Sequence, residues 1–72
     1  MSRSTAVVLS DRQLELLRWI SVGLTACEIA AEMWWAVDTV KHERMGLYRM
    51  LGARNAAHAV RLGFELGLLS AS

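Results

Sequence analysis

Two helix-start signals of the same kind lie close together in this chain, and they restrict its fold more than any other feature. Ser10 is followed three residues later by Gln13, and Thr25 is followed three residues later by Glu28. In such a capping box the hydroxyl accepts a hydrogen bond from a free backbone N–H, and the Gln or Glu side chain reaches back to the cap backbone. The sequence therefore predicts two helices that begin after Ser10 and Thr25.

The spacing of apolar residues extends this pattern to four short helices. They are expected at 11–21, over about two turns after Thr25, at 37–51, and between Asn55 and Gly67. Gly23 and Gly52 follow the first and third of them, where glycine supplies the left-handed stop that ends many helices. No segment alternates apolar and polar residues as a strand does, so the predicted fold class is all-α.

Length and composition predict one small domain. A chain of 72 residues buries little of its surface and rarely builds a deep pocket, which excludes most enzymes. Without repeats or charge blocks, residues 9–69 are expected to form the domain and residues 1–8 a flexible N-terminal leader. Cys27 is the only cysteine, so an internal disulfide is excluded. No apolar run reaches the roughly 18 to 20 residues of a membrane span, and we expect a cytoplasmic protein.

The residues that most often carry chemistry are not arranged for it. Cys27, His42 and His58 lie on three different predicted helices without the spacing of metal ligands, so we expect no metal. No base stands beside Cys27 in the sequence, and there is neither a catalytic pair of carboxylates nor a phosphate-binding glycine loop. The prediction is a protein that is not an enzyme and needs no cofactor.

The net charge of +1 hides an uneven distribution of charged residues along the chain. Residues 1–38 carry a net charge of −2, residues 39–62 carry +4, and the remaining segment carries −1 from Glu65. Duplex DNA binders usually have an excess of Lys and Arg. The positive charge on the third helix and the segment after it therefore keeps DNA as a candidate partner, with few phosphate contacts.

The short connection between the second and third helices is the layout of a helix-turn-helix. The chain resembles the LuxR/GerE-type DNA-binding domain without a gap from Leu9 to Val60. The matching residues include Leu9-Ser10, Leu16-Leu17, Gly23-Leu24-Thr25, Glu28-Ile29-Ala30, Met33, Thr39-Val40-Lys41, Leu47, Leu51-Gly52, Arg54-Asn55 and Ala59-Val60. The resemblance implies a four-helix domain that places its third helix on duplex DNA and often forms a homodimer through its fourth. The chain is similar to the stand-alone, GerE-like members.

The helical period divides the third helix into two faces. Val40, Leu47 and Leu51 are predicted to face inward. The residues expected to face outward are Asp38, Lys41, His42, Met45 and Arg49. The resemblance implies base contacts by Lys41, His42 and Met45, and contacts to the DNA backbone around Thr25, Cys27 and Thr39. Side chains expected near phosphates are Thr25, Thr39, Arg44, Arg49 and Arg54.

Several residues depart from the family pattern. The family commonly has Lys at the position of Cys27, Ile-Ser at the positions of Trp35-Ala36, and His at the position of Glu43. Ala36 removes a side-chain cap worth about 1 kcal/mol. Glu43 is expected to repel a phosphate, or else to pair with Arg44 or Arg12. These departures support an alternative prediction, a protein-interaction module of the same fold whose DNA binding is weakened or lost.

Two further surfaces leave alternatives open. Trp34 and Trp35 are either part of the core or an exposed aromatic platform for a partner. Val60, Gly63 and Phe64 on the fourth helix are either a dimer contact or part of a fraying helix end. Four further apolar residues are expected at the surface: Leu14, Val22, Met45 and Met50. They are either scattered exposed residues or parts of one protein-binding patch.

Overall fold

The computed structural model describes residues 8–70. Within this range the chain forms four α-helices and no strand: α1 (Asp11–Ser21), α2 (Ala26–Met33), α3 (Val37–Leu51) and α4 (Ala56–Glu65). The predicted all-α class and the predicted position of each helix are confirmed. The leader predicted over residues 1–8 lies outside the described residues except for Val8, which is exposed. None of the described helices is long and apolar enough to cross a membrane.

Both predicted capping boxes form. At the start of α1 the Gln13 backbone N–H donates to Ser10 Oγ at 3.1 Å, and the Ser10 N–H donates to Gln13 Oε1 at 3.0 Å. At the start of α2 the Glu28 N–H donates to Thr25 Oγ1 at 3.2 Å, and the Thr25 N–H donates to Glu28 Oε1 at 2.8 Å. Each box satisfies two backbone donors that have no partner within the helix.

The other two helices begin differently. At α4 the Asn55 Oδ1 atom accepts a hydrogen bond from the His58 backbone N–H at 2.9 Å, so the predicted Asn55 cap is confirmed. At α3 the cap position is occupied by Ala36, which makes no side-chain hydrogen bond to the helix. The first turn of α3 therefore keeps backbone N–H groups that no cap side chain satisfies.

All four helices end where the sequence predicts, three of them at or near a glycine and α2 after about two turns. The glycines near those ends all have a positive φ: Gly23, Gly52 and Gly67. At the end of α2 the same left-handed conformation is adopted by Trp34, with φ 58° and ψ 36°. A non-glycine residue pays about 1–2 kcal/mol for this conformation. The Trp35 backbone N–H donates to the Ala30 carbonyl at 3.0 Å and holds the chain in this turn.

The core joins all four helices, because α1 packs against the other three and α3 packs against α1, α2 and α4. Its buried side chains come mainly from the predicted inner faces and are Leu16, Leu17, Ile20, Ile29, Ala30, Val40, Leu47, Leu51 and Ala59. Each fully buried Leu, Ile or Val side chain contributes about 1.5–3 kcal/mol relative to an exposed one. The inward orientation predicted for α3 is confirmed, and packing on both sides determines which face of α3 meets solvent.

Gly63 lies inside this packing instead of on the surface of α4. A Cβ atom at Gly63 would lie 2.8 Å from Leu69 Cδ1 and 3.1 Å from Leu17 Cδ2. Its small size thus permits close approach of α4 to α1 and to the segment after α4, within one protomer. This removes Gly63 from the expected dimer surface, on which half-buried Val60 and exposed Phe64 remain.

The three tryptophans have different surroundings. Trp34 is 94% exposed, whereas Trp35 is half-buried and packs against the core. Trp19 is also half-buried against the core. Trp35 is therefore part of the core packing, whereas Trp34 is exposed. Leu14 is half-buried, and the other apolar residues expected at the surface, Val22, Met45 and Met50, are exposed.

Candidate nucleic-acid interface

A short turn positions α3 relative to α2. The turn consists of Trp34, Trp35 and Ala36, and the backbone N–H groups of both tryptophans donate to the Ala30 carbonyl. The two helices pack directly against each other. Since α2 covers the inner side of α3, the outer side of α3 is presented as an exposed row of side chains, which is the arrangement of a helix-turn-helix.

All five residues predicted to face outward on α3 are exposed: Asp38, Lys41, His42, Met45 and Arg49. We call this row the outer face of α3. It contains hydrogen-bond donors in Lys41 and Arg49, an imidazole in His42 and an apolar group in Met45. The major groove of B-DNA is wide enough for an α-helix, and its base edges offer acceptors, donors and the thymine methyl group. The outer face therefore has the shape and the chemistry needed to contact base edges.

Residues expected at the DNA backbone lie in three different segments. Thr25 and Cys27 are exposed at the start of α2, Thr39 is exposed in the first turn of α3, and Arg54 is exposed in the connection from α3 to α4. Although Thr25 Oγ1 accepts the capping hydrogen bond, the hydroxyl hydrogen can still be donated to an anion. Arg44 differs from these residues, because it is half-buried.

Arg44 lies one helical turn before Tyr48, which is also half-buried. Burial raises the pKa of the Tyr48 phenol above its ordinary 10.0, and the positive charge of Arg44 opposes part of this rise. Tyr48 is consequently a neutral hydroxyl at physiological pH and can donate a hydrogen bond next to a guanidinium. Helical periodicity by itself does not mark Tyr48 as a functional residue.

His58 orders the segment that contains Arg54, a role that the sequence pattern did not predict. The Arg54 backbone N–H donates to His58 Nδ1 at 3.1 Å. The His58 N–H in turn donates to Asn55 Oδ1, so the cap residue and the residue before it are both hydrogen-bonded to His58. The spacing of Asn55 and His58, three residues apart, was the available signal. This cap fixes the backbone from which Arg54 projects.

Glu43 does not form the ion pair considered for it. It is half-buried on α3, and the ion pair within residues 8–70 joins Arg61 to Glu65 at 2.9 Å instead. Arg12, one of the two expected partners, lies over the ring of Trp35, with 5.3 Å between its Cζ atom and the ring centroid. The carboxylate of Glu43 thus makes no ion pair within the part of the chain that the structure describes.

Comparison with known proteins identifies the family. The family model described as "Bacterial regulatory proteins, luxR family" matches residues 7–63. The chain belongs to the LuxR family. It is 44% identical over 62 residues to the transcriptional activator protein YukR of Yersinia ruckeri, which covers 86% of this chain and 27% of that protein. It is 41% identical over 64 residues to the transcriptional activator protein ExpR of Dickeya dadantii, covering 89% of this chain and 26% of the relative.

A third relative has the same relationship to the chain. The transcriptional activator protein EsaR of Pantoea stewartii subsp. stewartii is 44% identical over 62 residues, covering 86% of this chain and 25% of that protein. The chain thus spans about a quarter of the length of the curated relatives it matches. The resemblance predicted from the residues is confirmed, and the family consists of regulatory proteins and not of enzymes.

Proposed function

We propose that this domain is a transcriptional regulator that binds duplex DNA by inserting the outer face of α3 into the major groove. The observation that carries the proposal is the division of α3 into two faces. Val40 and Leu47 are fully buried on one face, while Lys41 and His42 are exposed on the other. Membership of a family of regulatory proteins supports this function, and it does not favour the alternative of an interaction module that has lost DNA binding.

Three side chains on the outer face are proposed to contact bases. Lys41 donates to the O6 and N7 atoms of guanine or to a phosphate. His42 donates or accepts according to its protonation state and tautomer. Met45, which is 51% exposed, makes apolar contact of the kind that a thymine methyl group accepts. These three residues therefore determine the sequence preference of the domain.

A second group of residues is proposed to hold the DNA backbone, with no reading of sequence. Hydrogen-bond donors and cations around the outer face are suited to phosphate oxygens. The group consists of Thr25, Cys27, Thr39, Arg44, Arg49 and Arg54. Cys27 stands where the family commonly has Lys, so it brings no charge to this contact. The backbone N–H groups at the start of α3 add donors that suit a phosphate, because Ala36 leaves them uncapped.

The domain is proposed to act as a homodimer through α4, in the cytoplasm, where bacterial DNA is found. Phe64 and Leu66 are 45% and 44% exposed, and half-buried Val60 lies one turn before Phe64. Two copies double the number of phosphate contacts and of base contacts without any further residue. This compensates for the small number of cations that one domain carries.

The salt dependence of duplex affinity tests the proposal, because its slope counts the phosphates that the protein neutralises. Each phosphate contact contributes about −0.9 to the slope of log K against log salt concentration. The affinity of the protein for a random-sequence duplex is measured at several salt concentrations. Preferred binding sites are then selected from a pool of duplexes. We expect a negative slope that Arg49→Ala, which removes an exposed cation proposed to contact phosphate, makes shallower by about 0.9 for each protomer.

Arg61→Ala is the matched control, since Arg61 is exposed on α4 and paired with Glu65. It is expected to leave the slope unchanged. A slope near zero for the unmodified chain, or equal losses in both variants, contradicts DNA binding through the outer face of α3. If selection yields no preferred site, the proposed phosphate contacts are retained and the proposed base contacts are rejected.

A further inference from the structure

A groove with two tryptophans lies where α1, the end of α2 and the following turn meet. It encloses about 350 Å³ and is lined by Asp11, Arg12 and Glu15 from α1, by Glu32 and Met33 from α2, and by both tryptophans of the turn. We call it the tryptophan groove. None of its residues belongs to the outer face of α3 or to the group proposed to contact phosphates. Its chemistry therefore calls for a separate explanation.

Trp34 is the most unusual residue of this groove. It is 94% exposed, the largest value among the exposed large hydrophobic residues of the described chain. It also occupies a left-handed backbone conformation with φ 58°, which glycine adopts at no steric cost. The indole thus gains almost no burial in the folded domain, and its backbone conformation is one that a residue with a Cβ atom adopts only at a steric cost. Stability of the isolated domain does not account for a tryptophan here, whereas contact with a partner does.

The charges around the groove indicate what kind of partner fits. Three exposed carboxylates, those of Asp11, Glu15 and Glu32, surround it against one guanidinium. That guanidinium, from Arg12, already lies over Trp35 with 5.3 Å from Cζ to the ring centroid. Within the domain itself, then, a cation packs on one indole of the groove. Phosphate groups are repelled by the carboxylates, so nucleic acid is a poor occupant, and a cation is a good one.

We propose that the tryptophan groove docks a segment of another protein that presents an Arg or Lys side chain beside an apolar side chain. The cation packs on the face of Trp34 and is neutralised by Glu32 and Glu15, while the apolar neighbour contacts Met33 and the exposed part of Trp35. The attraction between a cation and an aromatic face is modest at exposed sites and becomes stronger when water is excluded. This inference is independent of the DNA contacts.

A displayed library of random twelve-residue peptides is the probe, with the purified full chain as bait. We expect the enriched peptides to contain Arg or Lys next to Leu, Ile, Met or an aromatic residue. Their Kd, measured by fluorescence anisotropy, is expected to rise at least tenfold in Trp34→Gly. This variant removes the indole while placing glycine at a positive φ, so it is expected to fold. The paired variant Glu15→Gln, Glu32→Gln is expected to raise Kd at least threefold, with the loss diminishing at high salt.

Matched controls lie outside the groove. Val22→Ala removes an apolar side chain that is 66% exposed, and Glu65→Gln removes a carboxylate from α4. Both are expected to leave the peptide Kd unchanged. The proposal is overturned if no peptide is enriched, if enriched peptides lack basic residues, or if they bind Trp34→Gly as tightly as the unmodified chain.

If DNA or a second copy of the chain occupied the tryptophan groove, the same variant would give a different result. Loss of duplex binding in Trp34→Gly would assign the indole to the DNA interface, and loss of dimers in gel filtration would assign it to contact between two copies. Either result overturns docking of a separate cationic segment. Duplex affinity is measured on the same samples, so a failure of peptide binding and a failure of DNA binding are distinguished.

Discussion

The outer face of α3 and the tryptophan groove are two exposed surfaces of one small domain with opposite chemistry. Lys41 and Arg49 make the first surface basic, whereas Glu15 and Glu32 make the second acidic and the tryptophans make it aromatic. The net charge of +1 is the sum over the whole chain, and it describes neither of these two surfaces. Segregated charge allows a polyanion and a cationic protein segment to bind the same domain without competing for the same residues.

The core that supports both surfaces is the place where a substitution has the largest effect. Leu47 is fully buried on the inner face of α3, and Leu47→Ala is expected to destabilise the domain by about 2–5 kcal/mol through lost burial and a residual cavity. Urea unfolding followed by circular dichroism measures the change. Exposed Val22→Ala is the control, with an expected change within about 0.5 kcal/mol. A small effect at Leu47 would show that α3 is not held by this core.

Charge reversal on each surface tests whether the two surfaces act separately. Lys41→Glu is expected to lower duplex affinity at least about tenfold, because a base or phosphate contact worth about 1–3 kcal/mol is lost and a repulsion is added. Glu32→Lys makes the same size of charge change in the tryptophan groove and is expected to alter duplex affinity less than about twofold at physiological salt. Equal and opposite effects of the two variants would mean that only the net charge matters. Duplex titrations at constant salt measure both.

The starts of α2 and α3 provide a smaller contrast. Thr25→Ala removes a side-chain cap from α2 and is expected to destabilise the domain by about 1 kcal/mol. Ala36→Ser adds a hydroxyl at the uncapped start of α3 and is expected to stabilise the domain by about 0.5–1 kcal/mol. Thermal unfolding of the two variants checks the signs. A destabilising Ala36→Ser would indicate that the N–H groups of the first turn of α3 are satisfied in another way.

The smallest expected effect concerns alkaline pH. Burial raises the pKa of Tyr48 in the folded state above its unfolded value of 10.0, so the folded state disfavours the ionised phenol. The contribution of Tyr48 to stability is fully present below pH 10.0 and decreases as the pH rises above that value. Tyr48→Phe is expected to reduce the loss of stability in this alkaline range and to leave the pH dependence near neutrality unchanged. Urea unfolding at several pH values measures it, and an unaltered alkaline loss would contradict the role of Tyr48.

Local signals in the sequence predicted the starts of α1, α2 and α4 and the ends of α1, α3 and α4. The capping box at Thr25 and the stop at Gly52 depend on residues within a few positions of one another, so tertiary contacts are not needed to interpret them. Helical periodicity also predicted which side of α3 is buried, because three apolar residues occupy one side of the helix. The candidate DNA-contact residues followed from this orientation together with the family resemblance.

Tertiary packing alone decided the surroundings of residues whose neighbours are distant in sequence. Gly63 is buried because Leu17 and Leu69 meet over it, and Arg12 lies on Trp35 instead of pairing with Glu43. Trp34 and Trp35 are adjacent and chemically identical, yet the left-handed turn directs one into solvent and packs the other against the core. Sequence periodicity cannot distinguish such neighbours, because helix packing and one backbone dihedral determine their exposure. The tryptophan groove exists only after α1 and the end of α2 have met.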